Sequence, residues 1–369
     1  MNLAFYPTGH GYGHLTRLLA VVSEVQRQQP DVSIHIRAPH PESMVLETLS
    51  RAPDTYAQVR LDIGLVARDS LRHNLKASVE RLRYYYGPEG NRLVEQEARW
   101  LEKTKIDAAL LDIPPRALDA CALAGVPTFG LTNFSWDDIW RSLKDEEPEL
   151  GLFADRAAAS YTACKRLFRI PMHIGMHVFP VVEDVPLVAR HSKIDKEEIR
   201  SRLELADEER PLVLIAFGGE GLLDTAMPDA TLRTRYHFIV TPPIDNPGEG
   251  FFYLDDHQME QLGLTYTDLV HGVDVVMSKP GYSTVAETAA NHTGLILTDR
   301  NDFIEAKAIH DYAEAEIPTV RLSLDNLFAG RWGDALDVLL AKRPFDFSNL
   351  RSDGAEVVAR RLLKEVENS

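Results

Sequence analysis

The chain has 369 residues, and this length predicts two domains, because a single hydrophobic core rarely grows beyond about 250–300 residues. Its contents of 44% hydrophobic and 26% charged residues are ordinary for a globular protein. The net charge of −16, from 40 basic and 56 acidic residues, argues against a nucleic-acid partner, since phosphate backbones are bound by basic faces.

The N-terminal sequence predicts the first strand of a fold rather than a targeting signal. MNLAFYPTGHG has no basic n-region and no long apolar h-region. No apolar run reaches the roughly 18 residues of a membrane helix, so we expect no transmembrane segment. The two cysteines, Cys121 and Cys164, have neither metal-site nor disulfide-framework spacing, and a cytoplasmic location is expected.

Strand patterns alternate with helical ones in the first half of the chain. The expected helices cover residues 14–29, 42–49, a long stretch over 73–103 and a segment ending at residue 123. The expected strands cover residues 3–8, 32–38, 107–113, 126–132 and 165–172. The last of these strands is expected to end the sheet of the first domain.

The same rhythm restarts after an irregular, proline-punctuated linker at residues 179–192. Helices are expected over 194–205 and 353–368, and strands over 211–221, 236–243, 250–256, 273–278 and 293–299. This alternation predicts an α/β protein with two Rossmann-like, doubly wound domains that face each other across a cleft. The domains are expected at residues 1–178 and 193–350, followed by a C-terminal helix within 351–369.

A glycine-rich loop with two histidines, TGHGYGHLTR at residues 8–17, follows the first expected strand. Such a loop can cradle phosphate, bind a metal or present a catalytic base. His10 and His14 are four residues apart, which suits a metal pair only on a helix, and Gly11 and Gly13 argue against a continuous helix there. GHGYGH also differs from the dinucleotide pattern GxGxxG, so an oxidoreductase is not expected.

His14 is a candidate general base, because a neutral histidine can take the proton of an attacking hydroxyl near pH 7. Asp112 ends an expected strand, and the carboxyl ends of parallel strands converge on one crevice. It is therefore a candidate partner that orients the imidazole. As structural alternatives, His14 caps its helix or bonds the loop, and Asp112 caps the helix after Pro114 and Pro115.

NFSWDDIW, at residues 133–140, follows the next expected strand and should face the same crevice. Trp136 and Trp140 are candidates for stacking on a sugar ring or another flat acceptor, with helix packing as the alternative. Asn133 and Asp137 are candidates for hydrogen bonds to hydroxyls. His10, Gly11 and Gly13, in the glycine-rich loop, are candidates for contacts with the same bound group.

SKPGYSTVAE, at residues 278–287, follows an expected strand and opens a helix. Gly281 belongs to the turn, and Ser283 and Thr284 lie near the helix N-terminus, where free N–H groups and the helix dipole favour a diphosphate. Glu287 lies along the same face, and a carboxylate accepts two hydroxyl hydrogen bonds readily. The alternative is a capping box from Ser283 or Thr284 to Glu287.

Gly218 and Gly219 end the first strand of the second domain. Their missing side chains let backbone approach a phosphate or a reacting sugar, and a tight strand-to-helix turn is the alternative.

Taken together, these motifs resemble those of GT-B-fold nucleotide-sugar glycosyltransferases. The chain is most similar to the transferase-like N-terminal region of plant arabinokinases. The kinase half of those proteins is not expected in these 369 residues, so the resemblance does not imply sugar-kinase activity. The resembling segments, in the family's order, are TGHGYGHLTR, LDIGLVARDSL (61–71), DIPPRALDACALAGVPTFGLTNFSWDDIW (112–140), LIAFGGEG (214–221), SKPGYSTVAE and NDFIEAKAI (301–309).

The resemblance implies a nucleotide-sugar donor, UDP-linked, in the C-terminal domain and an acceptor of unknown identity in the N-terminal domain. It implies that His14 acts as base with Asp112, with inversion at the anomeric carbon, and that Glu287 binds ribose and Glu305 sugar hydroxyls. It implies metal-independent transfer with no cofactor beyond the nucleotide-sugar co-substrate. It also implies that the C-terminal helix packs back on the first domain.

Two other functions stay open at this point. The first is a non-catalytic nucleotide-sugar sensor that keeps the fold, although the presence of both His14 and Asp112 favours an enzyme. The second is a sugar-nucleotide 2-epimerase, which needs several acidic residues near the sugar and whose motif pattern is not seen. The sequence predicts neither the acceptor nor the oligomeric state.

Overall fold

The structure is a computed structural model, and it describes residues 1–69, 72–218, 227–244, 248–300 and 303–368. Within these residues the strands are β1 (Asn2–Pro7), β2 (Ser33–Ala38), β3 (Thr55–Gln58), β4 (Ala67–Asp69), β5 (Arg72–His73), β6 (Ala108–Asp112), β7 (Thr128–Thr132), β8 (Arg166–Arg169), β9 (Val182–Asp184), β10 (Leu212–Ile215), β11 (His237–Val240), β12 (Phe252–Tyr253), β13 (Val275–Ser278), β14 (Gly294–Thr298) and β15 (Thr319–Leu322).

The helices of the described residues alternate with these strands along most of the chain. They are α1 (Gly13–Gln28), α2 (Glu42–Thr48), α3 (Leu75–Tyr85), α4 (Pro88–Thr104), α5 (Pro115–Leu123), α6 (Trp136–Ser142), α7 (Glu149–Tyr161), α8 (Lys196–Arg202), α9 (Ala230–Arg235), α10 (Asp256–Gln261), α11 (Tyr266–Gly272), α12 (Tyr282–Ala290), α13 (Glu305–Glu316), α14 (Leu324–Phe328), α15 (Gly333–Leu340) and α16 (Gly354–Glu367).

The chain divides into two compact units. Unit 1 comprises Met1–Val66, Asn74–Val188 and Asp353–Ser369, and unit 2 comprises Ala67–His73 and Ala189–Ser352. The antiparallel pair β4–β5 therefore groups with unit 2, a feature that the sequence pattern did not predict.

Unit 1 is built on a parallel sheet with the strand order β3-β2-β1-β6-β7-β8-β9. The central strands β6 and β7 are buried along their whole length, as expected for strands with helices on both faces. β9 lies inside the segment that the sequence analysis assigned to an irregular linker, so the prediction that residues 165–172 form the last strand of this sheet is wrong. The alternation of apolar and polar residues that indicates a strand is hard to detect over three residues between prolines.

Unit 2 has a second parallel sheet with the order β12-β11-β10-β13-β14-β15. Its core contains a cluster of aliphatic and aromatic side chains around the buried Trp332, with Val213, Phe238, Met277 and Ile296 among them.

The C-terminal helix α16 belongs to unit 1 and packs along α1. Gln28 at the end of α1 donates a hydrogen bond to the Glu356 carbonyl over 3.2 Å. Val358 and Leu362 on α16 are fully or almost fully buried. The chain thus returns to its first helix after completing the second unit.

In each sheet, the strand order reverses beside the first strand of the unit. In unit 1 this happens between β1 and β6, whose register places Pro7 opposite Asp112. In unit 2 it happens between β10 and β13. Ligands of open α/β sheets bind beyond the carboxyl ends of the strands at such reversal points. Both glycine-containing motifs lie at these positions.

Gly64 and Gly125 provide a test of the packing in unit 1. Both have positive φ, +63° and +68°, but a Cβ at Gly64 would overlap the Trp136 ring, whereas one at Gly125 would have no neighbour within 4 Å among the described residues. We expect Gly64→Ala to lower the free energy of unfolding by about 3 kcal/mol, since backbone strain and overpacking add. Gly125→Ala should cost about 1 kcal/mol, from strain alone. Chemical denaturation measures both, and equal losses would contradict this packing.

Candidate functional site

His14 and Asp112 meet at the carboxyl edge of the unit 1 sheet. His14 is the second residue of α1, and Asp112 is the last residue of β6. His14 Nδ1 lies 2.8 Å from Asp112 Oδ1. A carboxylate only accepts hydrogen bonds, so Nδ1 carries the proton and donates it to Asp112. The lone pair of the neutral imidazole is then on Nε2, which makes no hydrogen bond within the described residues and is the atom that can act as a base.

Arg17, one turn after His14 on α1, completes this cluster, and the sequence analysis did not single it out. Its guanidinium donates from Nε to Asp112 Oδ2 and from Nη2 to Asp112 Oδ1, the latter over 2.7 Å. Nη1 donates to Asn133 Oδ1 over 2.8 Å. The i,i+3 spacing of His14 and Arg17 in GHLTR is the sequence signal that places both side chains on one helix face.

Burial determines the electrostatics of the cluster, since Asp112 has no exposed surface, Arg17 is 3% exposed and His14 6% exposed. Burial lowers the pKa of His14, and the Arg17 charge lowers it further against the opposing effect of Asp112. Burial alone would raise the pKa of Asp112, but Arg17 and His14 together hold it below its ordinary value. At neutral pH the cluster therefore contains a carboxylate, a guanidinium and a neutral imidazole.

His10 lies before α1, so it does not share a helix with His14. Its Nδ1 is 3.2 Å from the Leu65 carbonyl, and its ring packs edge-on against Trp136 with centroids 5.1 Å apart. The centroids of the His10 and His14 rings are 6.4 Å apart. Across the part of the chain that the structure describes, no group of three or more His, Cys, Asp or Glu side chains is arranged to hold a metal ion.

Trp136 and Trp140 are completely buried and stack on each other with ring centroids 5.8 Å apart. Trp136 Nε1 donates to the Thr8 hydroxyl over 3.2 Å, and Trp140 Nε1 donates to the Gly64 carbonyl over 3.3 Å. The two rings thus pack under the loop, as in the helix-packing alternative. Their proposed stacking on an acceptor stays a prediction.

The other predicted acceptor-side residues are held within unit 1. Asn133 is buried, and its amide donates to the Met172 carbonyl over 3.2 Å. Asp137 is also buried in the first turn of α6, and burial raises its pKa. The Gly11 carbonyl lies 2.9 Å from His40 Nε2, and Gly13 is the first residue of α1.

Asp62 is a further buried carboxyl group near the loop, and no sequence motif pointed to it. It accepts hydrogen bonds from the Thr8 hydroxyl over 2.5 Å and from the Gly9 N–H over 3.2 Å. Burial raises its pKa to about 6. Asp62 belongs to LDIGLVARDSL, which the resemblance includes, but no local pattern predicts that this segment reaches Gly9.

In unit 2, the ends of β10 and β13 lie side by side. The Ser278 hydroxyl, at the end of β13, donates to the Ala216 carbonyl over 2.6 Å. Helix α12 begins at Tyr282 with Gly281 as its N-cap, which supplies no side-chain cap. The capping box considered from the sequence is therefore not formed at this helix start. Among the described residues, no atom would lie within 4 Å of a Cβ at Gly281.

Glu287 does not point freely into solvent. It is 3% exposed, and its Oε1 accepts a hydrogen bond from Arg190 Nε over 2.6 Å. Within the described residues no hydrogen bond reaches Oε2. Arg190 follows the boundary between the two units in sequence, and the sequence analysis did not connect it with the motif.

The remaining predicted donor residues lie on α12, α13 and the loop after β10. Ser283 and Thr284 are half-buried in the first turn of α12, and Glu305 is the first residue of α13 and is buried. Gly218 is exposed at the end of the described loop, and Gly219 lies outside the described residues. The structure thus places Gly218 and the α12 motif at one edge of the sheet.

Comparisons with known proteins agree with this architecture. The chain is 28% identical over 354 residues to the L-arabinokinase of Arabidopsis thaliana, a match that covers 92% of this chain and 32% of the arabinokinase. It therefore spans about a third of the length of this curated relative. No protein-family model matches the chain.

Solved structures give the fold. A UGT transferase from Siraitia grosvenorii in complex with UDP has a TM-score of 0.57 at 15% identity, with 99% of each chain covered. Arabidopsis thaliana UGT89C1 in complex with UDP-L-rhamnose has a TM-score of 0.61 at 12% identity, covering 99% of this chain and 98% of that one.

The chain has the GT-B fold. The predicted fold class and the resemblance to GT-B glycosyltransferases and to the arabinokinase are confirmed. In the part of the chain that the structure describes, no helix is long and apolar enough to cross a membrane.

Asp62 generates a prediction about stability. Its pKa in the folded state, about 6, lies above its ordinary value of 3.8, so the folded state binds more protons than the unfolded state between these pH values. The contribution of Asp62 to stability is therefore present at low pH and is lost as the pH rises through about 6. Relative to Asp62→Asn, the wild type should lose about 1 kcal/mol of unfolding free energy between pH 5 and pH 7.5. Urea denaturation of both proteins at the two pH values measures this, and a constant difference would contradict it.

Proposed function

We propose that the protein is a glycosyltransferase that moves a sugar from a UDP-linked donor to an acceptor hydroxyl with inversion. The observation that carries the proposal is the buried His14–Asp112 pair at the strand-order reversal of unit 1. The GT-B fold and the UDP complexes of its structural neighbours support the donor class.

His14 Nε2 takes the proton of the acceptor hydroxyl as its oxygen attacks the anomeric carbon. The bond from this carbon to the β-phosphate oxygen breaks, and UDP leaves with the electron pair. The proton on Nδ1 stays hydrogen-bonded to Asp112, which stabilises the imidazolium that forms. Because its pKa is lowered, His14 is neutral at neutral pH and can accept the proton.

The donor is held by unit 2 in this proposal. The first turn of α12, where the helix dipole favours an anion, faces the diphosphate beside Gly281. Oε2 of Glu287 accepts from the ribose, while Arg190 holds Oε1. Glu305 and the Gly218 loop contact the sugar.

Transfer needs no metal ion and no cofactor other than the co-substrate, and we place it in the cytoplasm because Cys121 and Cys164 are buried free thiols.

His14→Gln tests the base. We expect kcat to fall about 10²- to 10⁴-fold, since general-base catalysis contributes about this much. UDP affinity should be unchanged, because the donor residues lie in unit 2. The assay is UDP release from a panel of UDP-sugars with a mixture of hydroxylated acceptors, with EDTA added to test metal independence.

His35→Gln is the matched control, since His35 is a buried histidine of the same unit whose Nδ1 lies 2.9 Å from the Thr55 hydroxyl, away from Asp112. Full turnover by His14→Gln would remove His14 as the base. UDP binding by a wild type that transfers no sugar would favour the sensor function.

Gly281→Asp tests the donor motif separately from stability. The N-cap backbone is extended, with φ −140° and ψ 129°, so aspartate can cap α12 and should stabilise the fold slightly. Its negative charge at the helix start should weaken UDP binding at least about tenfold, by repelling the diphosphate.

Gly281→Asn is the matched control, with nearly the same shape and capping ability but no charge. Calorimetric titration with UDP measures the affinities of both variants. Equal affinities for the two variants would place the diphosphate elsewhere.

A further inference from the structure

Arg17 is a buried cation that donates several hydrogen bonds to the groups around His14. Besides the two bonds to Asp112 and the one to Asn133, its Nη2 donates to the Thr132 hydroxyl over 3.2 Å. Nη2 also lies 2.9 Å from His14 Nδ1. Because both nitrogens carry protons that point at Asp112 Oδ1, this contact places a positive charge directly beside the imidazole.

The charges of this cluster balance only while His14 is neutral. Asp112 contributes −1 and Arg17 +1, so a protonated His14 would leave one uncompensated positive charge in a buried site. A carboxylate that faces a histidine alone would instead favour the imidazolium. Arg17 therefore opposes the usual effect of an aspartate on its histidine partner and adds to the effect of burial, which is the main cause of the lowered pKa of His14.

We propose that Arg17 is a positioning residue for the transfer reaction, which fixes the Asp112 carboxylate and keeps His14 in the neutral form with its lone pair on Nε2. This inference rests on the proposed function for its catalytic consequence. Its effect on the charge of His14 does not depend on that function.

The other groups around His14 do not replace Arg17 in this role. His10, in the loop before α1, has its ring centroid 6.4 Å away, and Phe134, after β7, packs edge-on at 5.4 Å without charge. His40, whose pKa is lowered chiefly by burial, is directed at the Gly11 carbonyl. Asp62, whose burial raises its pKa to about 6, is bonded to Thr8 and Gly9 instead.

The test compares Arg17→Gln, which removes the charge, with Arg17→Lys, which keeps the charge but lacks the planar fork. Arg27→Gln is the matched control, because Arg27 is an exposed arginine of the same helix that pairs with Glu24. NMR titration follows the His14 ring signals, identified by their loss in His14→Gln. The dependence of kcat/KM on pH is measured in parallel, and thermal melting verifies that each variant is folded.

In Arg17→Gln we expect the pKa of His14 to rise by about one unit or more, a tenfold change in its proton affinity. The acidic limb of the kcat/KM profile should shift to higher pH by the same amount, so that activity is lost mainly below pH 7. A purely structural role would lower the rate at every pH alike. Arg17→Lys should restore the pKa toward the wild-type value but retain a lower kcat, and Arg27→Gln should change neither.

An unchanged pKa of His14 in folded Arg17→Gln would overturn the inference. If that variant does not fold, Arg17→Lys decides: a lower kcat at unchanged donor affinity supports the positioning role, and wild-type kcat overturns it. A wild type that transfers no sugar refutes the proposed function, yet the titration of His14 still decides whether Arg17 controls its charge.

Discussion

The carboxylate of Asp112 is the group on which the candidate site of unit 1 depends. Burying an anion costs several kcal/mol unless it is paired and hydrogen-bonded. Here Asp112 ends β6, its carbonyl accepts the Thr8 N–H over 2.6 Å, and its two side-chain oxygens accept from Arg17 and His14. One residue thereby connects the central strand, the glycine-rich loop and the first turn of α1.

A second set of buried polar contacts holds the start of the glycine-rich loop in place. The Thr8 hydroxyl accepts from Trp136 and donates to Asp62, which also binds the Gly9 N–H. Gly64 lets the Trp136 ring approach the backbone closely. Side chains locked in this way have little freedom, and such rigidity is what a catalytic base needs to keep its geometry.

The motif of unit 2 also lies where the strand order reverses, but its side chains differ from those of unit 1. Its helix start has no side-chain cap, and among the described residues no atom would lie within 4 Å of a Cβ at Gly281, whereas the carboxylate of Glu287 is held by Arg190. The motif of unit 1 has a buried ion pair between Arg17 and Asp112 instead. The two glycine-containing motifs therefore differ in chemistry, and in the proposed function one supplies the base and the other holds the donor.

The sequence by itself determined the α/β class and most strands of both sheets, because these depend on periodicity. It also predicted the pairing of His14 with Asp112, from the convergence of strand ends together with the resemblance to GT-B glycosyltransferases. Only the tertiary structure revealed β9, Arg17, Asp62 and Arg190. A strand of three residues has too little periodicity to detect, and a buried ion pair such as Glu287 with Arg190 joins residues 97 positions apart. Such partners depend on which chain segments the fold brings together, and local sequence patterns do not predict those contacts.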